Sequence, residues 1–181
     1  MKAILFDKYG DPSVLYIGEA QKPIIDDNEV LIKVAAAGIN RPDILQRQGG
    51  YPPPKGASEI LGLEVSGKIV EIGKNIDLDF KGKEVCALVT GGGYAEYVKT
   101  TLATVLPVPK GLNVVDAAAI PETFFTVWTN LFNSGSLKKN ETLLIHGGAS
   151  GIGITAALIA KAMGIKFCTT VGSAKKKKFM E

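Results

Sequence analysis

A glycine-rich segment at residues 147–153 is the part of the sequence whose residue types and spacing most clearly suggest chemistry. An apolar run at 142–145 precedes it, a helical pattern follows at 154–163, and a second apolar run occupies 165–171. This order predicts a strand, a tight turn, a helix and a strand, which is the first unit of a dinucleotide-binding fold. In such a turn a pyrophosphate approaches bare backbone at a helix N-terminus.

Three glycines of this segment, Gly148, Gly151 and Gly153, would supply that bare backbone. Ser150 stands where the strict G-x-G-x-x-G pattern has its middle glycine, so the motif is imperfect. The Ser150 hydroxyl could instead donate a hydrogen bond to a phosphate oxygen. We therefore predict nucleotide binding at this turn; the alternative is that its glycines serve helix–strand packing alone.

The end of the second apolar run indicates which cofactor the turn would bind. An NAD site usually has an acidic residue there for the ribose hydroxyls. Here the chain reads Gly172, Ser173, Ala174 and then four lysines at 175–178, with no acid before Glu181. A serine and lysines suit a 2′-phosphate, which favours NADP(H) over NAD. The alternative is a solvated helix start that carries surface lysines.

The composition excludes several classes of function. The chain has 181 residues, of which 46% are hydrophobic and 22% charged, and its net charge is +3. Because the four lysines at 175–178 carry that excess, nucleic acid is an unlikely partner. No apolar stretch reaches the roughly 18 residues of a membrane span, so we expect no membrane insertion. The two cysteines lack disulfide or metal spacing, which fits a cytoplasmic location.

Two regions of different character follow one another along the chain. Residues 1–110 read as short strands and turns, with one short helix at 40–48 and a proline- and glycine-rich loop at 49–56. In the strand 62–72, Gly67 indicates a bulge or a close backbone approach. From residue 114 the pattern becomes helical, with a break at Pro121 and a C-terminal glycine at Gly135. We predict two domains, 1–115 and 116–181.

Motifs spread over almost the whole chain resemble one known family. They occupy residues 38–43, 47–54, 61–67, 92–97 and 117–121, together with the glycine turn and 172–173. In these segments the sequence resembles the zinc-independent quinone oxidoreductases, the zeta-crystallin-like branch of the medium-chain dehydrogenases/reductases. The resemblance implies a fold of class α+β then α/β. A GroES-like partial β-barrel is followed by an incomplete Rossmann (doubly wound) domain.

The same resemblance bears on the metal. Zinc-dependent relatives would place a cysteine where Asn40 stands and a histidine where Leu63 stands. The chain has one histidine, His146, and two isolated cysteines, so the usual three protein ligands of a catalytic zinc are not available at those positions. We therefore predict no metal site and expect catalysis by positioning and fixed hydrogen-bond donors.

The resemblance also implies roles for individual residues in a cleft between the domains. The catalytic candidates are Asn40, Asp43 and Tyr51, and Asn40 or Tyr51 would bond the quinone oxygen. The cofactor candidates are Asn40, Thr126, Ser150, Gly151, Ile152, Gly172, Ser173 and Lys176, of which the last three would surround the 2′-phosphate. Structural alternatives stay open. Asn40 could cap a helix, Asp43 could favour its dipole, Tyr51 could pack the loop, and Thr126 could bond to its own helix.

The implied function is an NADPH-dependent quinone oxidoreductase that transfers a hydride or electrons to a small-molecule quinone without zinc. The alternatives are an enoyl or enone reductase on the same fold and a non-catalytic binding or regulatory fragment. A doubly wound domain has six strands, and only ten residues follow Val171. We therefore expect a truncated, weakly active or inactive form whose uncovered sheet edge favours a homo-oligomer.

Overall fold

A five-stranded antiparallel sheet forms the centre of the first part of the chain. The structure, a computed structural model, describes all 181 residues, which separate into two compact units, Met1–Glu122 and Thr123–Glu181. The strands of the first unit are β1 (Lys2–Leu5), β2 (Tyr16–Glu19), β3 (Glu29–Ala37), β4 (Glu64–Ile72), β5 (Glu84–Leu88), β6 (Tyr97–Thr101) and β7 (Val105–Pro107). The sheet has the order β6-β3-β4-β5-β7, and β1 and β2 form a separate antiparallel pair.

The core of this unit follows from the alternation of apolar side chains along the strands. One face carries eight buried residues that pack together: Val30, Ile32, Val65, Ile69, Val85, Ala87, Val89 and Val98. Burying each of the larger side chains stabilises the fold by about 1.5–3 kcal/mol. The long central strands β3 and β4 contribute half of the cluster, and they therefore hold the rest of the unit in place.

The predicted bulge at Gly67 is confirmed. Val34 pairs with Gly67 and Ala36 with Ser66, so one extra residue of β3 bulges at this point. A side chain at position 67 would place its Cβ 2.1 Å from the carbonyl oxygen of Lys33, which only glycine avoids. The bulge bends the end of β3 just before the short helix α1 (Arg41–Arg47) begins.

The predicted short helix is present, and Asn40 is its N-cap residue. Four further short helical segments of 3-10 type lie at Pro12–Val14, Leu78–Phe80, Leu102–Thr104 and Asp116–Ala119. The last of these replaces most of the alanine-rich helix predicted at 114–120. Pro121 has no N–H with which to continue the helical hydrogen bonds, and a new helix, α2 (Pro121–Trp128), begins at the proline itself.

The second unit opens with α2 and a π-helical segment, Thr129–Ser134. The predicted C-terminal glycine is confirmed, because Gly135 is the C-cap residue of this segment. Gly135 has φ −82°, and the next residue, Ser136, adopts the left-handed conformation with φ 50°. Glycine is needed at 135 because a Cβ there would lie 2.8 Å from the carbonyl oxygen of Asn130.

The predicted strand–turn–helix–strand unit is confirmed. Strand β8 (Thr142–Ile145) pairs in parallel with β9 (Lys166–Thr169), and α3 (Gly151–Met163) connects them. Val127, Ile145, Ala156 and Ala157 form its buried core. A further helix, α4 (Ala174–Met180), contains the four lysines. No helix of the chain combines the length and apolar character that a membrane span needs.

Candidate functional site

Five residues of the first unit form a connected polar group, the carboxylate cluster: Asn40, Asp43, Glu64, Tyr94 and Glu122. The amide Nδ2 of Asn40 donates to Oε1 of Glu64 at 2.8 Å, and its backbone N–H donates to Oδ2 of Asp43 at 2.7 Å. The hydroxyl of Tyr94 donates to the same Asp43 oxygen at 2.8 Å. The backbone N–H of Glu122 donates to Oε2 of Glu64 at 2.9 Å. Two catalytic candidates, Asn40 and Asp43, therefore lie together.

Local structure explains how Glu64 reaches the middle of this cluster. It is the first residue of β4, and its carbonyl accepts a hydrogen bond from Gly38, just beyond the end of β3. A Cβ at position 38 would lie 2.0 Å from Oε1 of Glu64, so the missing side chain of Gly38 is what makes room for the carboxylate. Asn40 follows two residues later, at the start of α1.

The cluster holds three carboxyl groups, and none of them has a cationic partner. The salt bridges of the chain all involve other residues. Asp43 and Glu64 are only 2% and 3% exposed, and Oδ1 of Asp43 has no hydrogen-bond partner. A buried carboxylate without a counter-charge is energetically unfavourable unless donors surround it. Asn40, Tyr94 and the backbone of Glu122 supply those donors.

The electrostatics of the cluster follow from this burial. Burial raises the pKa of Glu64, against the opposing effect of its two hydrogen-bond donors. Burial, together with the neighbouring carboxylates of Glu64 and Asp43, also raises the pKa of Glu122. Burial and the hydrogen bond to Asp43 raise the pKa of Tyr94, so its hydroxyl stays protonated as a donor. The raised pKa values share one cause, which is that the cluster is buried and holds no cation.

The third catalytic candidate, Tyr51, belongs to a different surface of the same unit. Tyr51 is 43% exposed and lines a cavity of about 780 Å³, together with Pro53, Leu63 and Glu122. Asn40 and Asp43 do not line this cavity. Glu122 alone belongs to both the cavity wall and the carboxylate cluster. The structure therefore does not bring Tyr51 into hydrogen-bond contact with the other two candidates.

Most of the cofactor candidates lie at one edge of the second unit, the glycine edge, which comprises residues 146–153 and 169–176. Because β8 and β9 run in parallel, the segments that follow them lie side by side. Gly148 donates its N–H to the carbonyl of Thr170 at 2.9 Å. The ring Nδ1 of His146 lies 3.1 Å from the Thr170 hydroxyl, which fits a structural role for the only histidine.

Ser150 is tied into the turn itself. Its hydroxyl donates to the carbonyl of Gly147 at 2.8 Å and accepts from the N–H of Gly153 at 3.1 Å. A serine hydroxyl has one hydrogen, so here it is not free to donate to a phosphate. The N–H groups of Gly151 and Ile152, in the first turn of α3, find no acceptor in the chain. They are the donors that the turn leaves for an anion.

The glycines of this edge divide into two kinds. A Cβ at Gly148 would lie 2.6 Å from the Cβ of Thr169, and one at Gly153 would lie 2.5 Å from the carbonyl oxygen of Gly147. Internal packing therefore requires these two. A Cβ at Gly151 would meet only a methyl group of Thr123 at 3.5 Å, and one at Gly172 would meet nothing within 4 Å. Their bare backbone faces open space that a dinucleotide could fill.

The remaining candidates also have defined places. Ser173 is the N-cap of α4, and its hydroxyl oxygen accepts from the N–H of Lys176 at 3.3 Å. The ammonium group of Lys176 forms no salt bridge, whereas Lys177 pairs with Glu181 at 3.7 Å. Thr126 lies half-buried in α2, and its hydroxyl makes no hydrogen bond in the chain. The Lys176 ammonium therefore has no salt-bridge partner, whereas the Ser173 hydroxyl oxygen already caps α4.

Sequence reasoning missed the roles of Glu64, Tyr94, Glu122 and Thr170. Glu64 and Tyr94 lie inside quoted motifs, but no local signal shows that their side chains converge on the start of α1. The partners are far apart along the chain: Asn40 and Glu64 by 24 positions, Asp43 and Tyr94 by 51, and Glu64 and Glu122 by 58. A polar residue that opens an otherwise buried strand, as Glu64 does, was the one available hint.

Comparison with known proteins shows what the chain is similar to. Residues 26–110 match the family described as Alcohol dehydrogenase GroES-like domain. The chain is 37% identical over 175 residues to a quinone oxidoreductase from Sus scrofa, with 96% of this chain and 53% of the relative covered. It is 34% identical over 182 residues to a quinone oxidoreductase from Mus musculus, with 99% and 55% covered. The chain thus spans about half the length of the curated relatives it matches.

Three solved structures share the fold. A quinone oxidoreductase from Coxiella burnetii has a TM-score of 0.85 at 32% identity, over 99% of this chain and 59% of that one. The Escherichia coli quinone oxidoreductase complexed with NADPH has 0.83 at 30%, over 98% and 55%. The CurK enoyl reductase has 0.87 at 29%, over 99% and 56%. The chain has a GroES-like domain and the start of a Rossmann-like region, and it is similar to the N-terminal part of quinone oxidoreductases of the medium-chain dehydrogenase/reductase superfamily.

Proposed function

We propose that the protein is an NADPH-dependent quinone oxidoreductase that works without zinc. The observation that carries this proposal is the open space at Gly151 and Gly172, where the fold itself has no need of glycine. Bare backbone at the first turn of a helix, at the carboxyl ends of parallel strands, suits a pyrophosphate. The likeness to quinone oxidoreductases, one of them complexed with NADPH, supports the choice of cofactor and acceptor.

The residues of the glycine edge fit this cofactor. The free N–H groups of Gly151 and Ile152 would hold the pyrophosphate, while Ser150 keeps the turn in shape. Ser173 and Lys176 would hold the 2′-phosphate, because a hydroxyl and an unpaired ammonium can both donate to phosphate oxygens. NADH has a ribose hydroxyl in place of that phosphate. Thr126 remains a candidate for a further cofactor contact. When bound, NADPH supplies a hydride or electrons for the reduction.

The first unit would bind the acceptor. The Tyr51 hydroxyl lines a cavity whose wall also includes the apolar side chains of Leu63 and Leu88, a setting that suits a flat quinone. Asn40, which lies outside this cavity wall, would be the alternative donor to an acceptor oxygen that gains negative charge during reduction. Zinc-dependent relatives carry a cysteine at the position of Asn40 and a histidine at the position of Leu63. Neither of these two zinc ligands is present in this chain.

A second candidate is the reduction of activated carbon–carbon double bonds. The likeness to the CurK enoyl reductase, at a TM-score of 0.87, favours it. An enone also develops negative charge on its carbonyl oxygen when it is reduced, so the same donors would serve both substrates. The cavity beside Tyr51 does not by itself discriminate a quinone from an enone. The predicted homo-oligomer and cytoplasmic location remain predictions, as does the domain boundary at residue 115.

The test is to follow NADPH oxidation by the purified protein with a series of quinones and enones, and to measure NADPH and NADH binding directly. We expect quinone-dependent oxidation, a preference for NADPH, and no change after treatment with a metal chelator. Turnover of enones alone would favour the second candidate. Absence of NADPH binding, or loss of activity with a chelator, would contradict the proposal.

A further inference from the structure

We propose that Glu64 is a positioning residue, whose carboxylate holds the Asn40 amide in one orientation so that the amide nitrogen presents its second N–H to a bound ligand. The ligand is the acceptor or cofactor of the reductase proposed above, so this inference rests on that proposed function. The hydrogen bond itself does not depend on any ligand, which allows the two proposals to be tested separately.

The orientation follows from hydrogen-bond chemistry. An asparagine amide has an acceptor oxygen and a nitrogen with two N–H groups. Oε1 of Glu64 accepts one of these N–H groups at an Nδ2–Oε1 distance of 2.8 Å. A carboxylate accepts and does not donate, so it binds the NH₂ end of the amide and rejects the oxygen end. The second N–H of Asn40 makes no hydrogen bond in the chain.

The carboxylate is itself held in place. Its other oxygen, Oε2, accepts the backbone N–H of Glu122 at 2.9 Å. The side chain is 3% exposed and fills the space beside Gly38, where a Cβ would come within 2.7 Å of Cγ of Glu64. Each oxygen thus faces a donor, and the strand β4 fixes the backbone from which the side chain extends. Neither end of the carboxylate can exchange its partner without breaking a buried hydrogen bond.

This arrangement distinguishes a carboxylate from its amide. Glutamine at position 64 has one acceptor oxygen and one NH₂ group, yet both neighbours of Glu64 are donors. If the glutamine oxygen keeps the Glu122 N–H, its NH₂ group faces Asn40, and Asn40 must turn its own oxygen inward to bond it. Glu64→Gln can therefore keep the hydrogen bonds and the fold, but it inverts the Asn40 amide.

The double variant Asn40→Asp with Glu64→Gln separates positioning from plain structural support. The new aspartate at position 40 accepts from the NH₂ group of the new glutamine at position 64. The glutamine oxygen accepts from the N–H of Glu122, so every buried partner is satisfied. Aspartate is also a good N-cap for α1. The double variant nevertheless has no side-chain N–H at position 40. Restored activity in this variant would show that Glu64 gives structural support alone, and continued loss with an unchanged melting temperature shows that the side-chain N–H at position 40 is itself required.

The experiment compares the wild type, Glu64→Gln, the double variant and the control Glu84→Gln, which makes the same chemical change at an exposed position of β5. Thermal melting, the nuclear magnetic resonance signals of the Asn40 side-chain amide, and steady-state kinetics with NADPH and a quinone are measured for each. We expect Glu64→Gln to melt near the wild type, to shift the Asn40 amide signals, and to lose kcat by about tenfold or more. The double variant stays equally slow, and Glu84→Gln behaves like the wild type.

Two results would overturn the inference: unchanged Asn40 amide signals in Glu64→Gln, or wild-type kcat in either Glu64→Gln or the double variant. A wild type that binds NADPH but reduces neither quinone nor enone would instead contradict the proposed function. In that case the Asn40 signals still decide whether Glu64 orients the amide. If Glu64→Gln unfolds, Glu64→Asp is used in its place, because it keeps the charge on a shorter side chain. The Asn40 amide signals of Glu64→Asp are then compared with those of the wild type.

Discussion

The carboxylate cluster and the glycine edge are candidate sites of opposite construction. In the cluster, side chains from distant positions bond one another, and the groups left without a partner are Oδ1 of the buried Asp43 and the second N–H of the Asn40 amide. At the glycine edge, the useful groups are backbone N–H donors and missing side chains within one short segment. The first site thus depends on tertiary structure, and the second depends mostly on local chain geometry.

This difference determines how each site responds to substitution. Changes in the cluster that remove a partner from a buried polar group should affect stability and activity together, unlike Glu64→Gln, which keeps both partners of position 64. At the glycine edge the two effects separate, because some glycines serve the fold and others face open space. Four sets of substitutions test this contrast, in order of decreasing expected effect.

The largest effect should come from the contrast between two glycines of the same turn. Gly153→Ala places a methyl group 2.5 Å from the carbonyl oxygen of Gly147, which is backbone and has little freedom to move. We expect a loss of about 3 kcal/mol in unfolding free energy. Gly151→Ala meets only a methyl group at 3.5 Å, so it should keep the fold and lose NADPH affinity by about tenfold, about 1.4 kcal/mol.

Urea unfolding and direct NADPH titration measure the two effects of these glycine variants separately. The contrast fails if Gly151→Ala binds NADPH as the wild type does, because the open space would then have no ligand. It also fails if Gly153→Ala is as stable as the wild type, since the glycine would then not be required by packing.

The second effect concerns the donors of the carboxylate cluster. Tyr94→Phe removes the hydroxyl that bonds Asp43 at 2.8 Å and leaves a buried carboxylate with a single donor. Hydrogen bonds to charged groups contribute about 1.5–3 kcal/mol, so we expect a loss of about 2 kcal/mol in urea unfolding. Tyr16→Phe is the matched control, because its hydroxyl donates to Asp7 at the same distance on the exposed surface. Equal losses in both variants would show that burial of the cluster has no energetic consequence.

The carboxylate cluster and the glycine edge also differ in how well the sequence predicts them. The glycine turn, its flanking strands and α3 are consecutive in the chain, and hydrophobic periodicity together with glycine spacing sufficed to predict them. The bulge at Gly67 could be predicted because a glycine inside a strand pattern is a local signal as well. The hydroxyl of Ser150 was assigned to a ligand because its internal partners, Gly147 and Gly153, form only after the turn closes.

The carboxylate cluster could not be predicted in this way. The family resemblance implied Asn40 and Asp43 as candidates, but Glu64, Tyr94 and Glu122 come from separate elements whose proximity depends on sheet order. The alanine-rich segment before Pro121 formed only the 3-10 helix Asp116–Ala119, because Pro121 has no N–H with which to continue the helical hydrogen bonds. Local sequence patterns predict helices and strands well, but they predict hydrogen-bond networks between side chains poorly.

The third effect should be selective for the cofactor and leave the fold unchanged. Lys176→Ala removes an unpaired ammonium at the start of α4, so NADPH should bind about tenfold more weakly, about 1.4 kcal/mol, and NADH should bind as before. Lys178→Ala is the matched control on the same exposed helix. Titration of both cofactors decides the question. Equal weakening of NADPH and NADH would indicate that Lys176 does not contact the 2′-phosphate.

The smallest effect is a difference in pH dependence between two glutamates of the same unit. Burial and the carboxylates of Glu64 and Asp43 raise the pKa of Glu122 above its ordinary 4.5. The folded chain then binds this proton more tightly than the unfolded chain does. The contribution of Glu122 to stability is therefore fully present below pH 4.5 and is lost as the pH rises through the raised value.

Glu29 should behave in the opposite way. Burial disfavours its charge, but the hydrogen bonds from Lys99 and from the backbone of Asp26 outweigh that effect and lower its pKa. Its contribution is present above its ordinary pKa and is lost as the pH falls through the lowered value. We expect the stability advantage of the wild type over Glu122→Gln to shrink with rising pH, and its advantage over Glu29→Gln to shrink with falling pH. Urea unfolding over this range measures both slopes. Slopes of the same sign would show that the missing counter-charge of the carboxylate cluster does not govern its protonation.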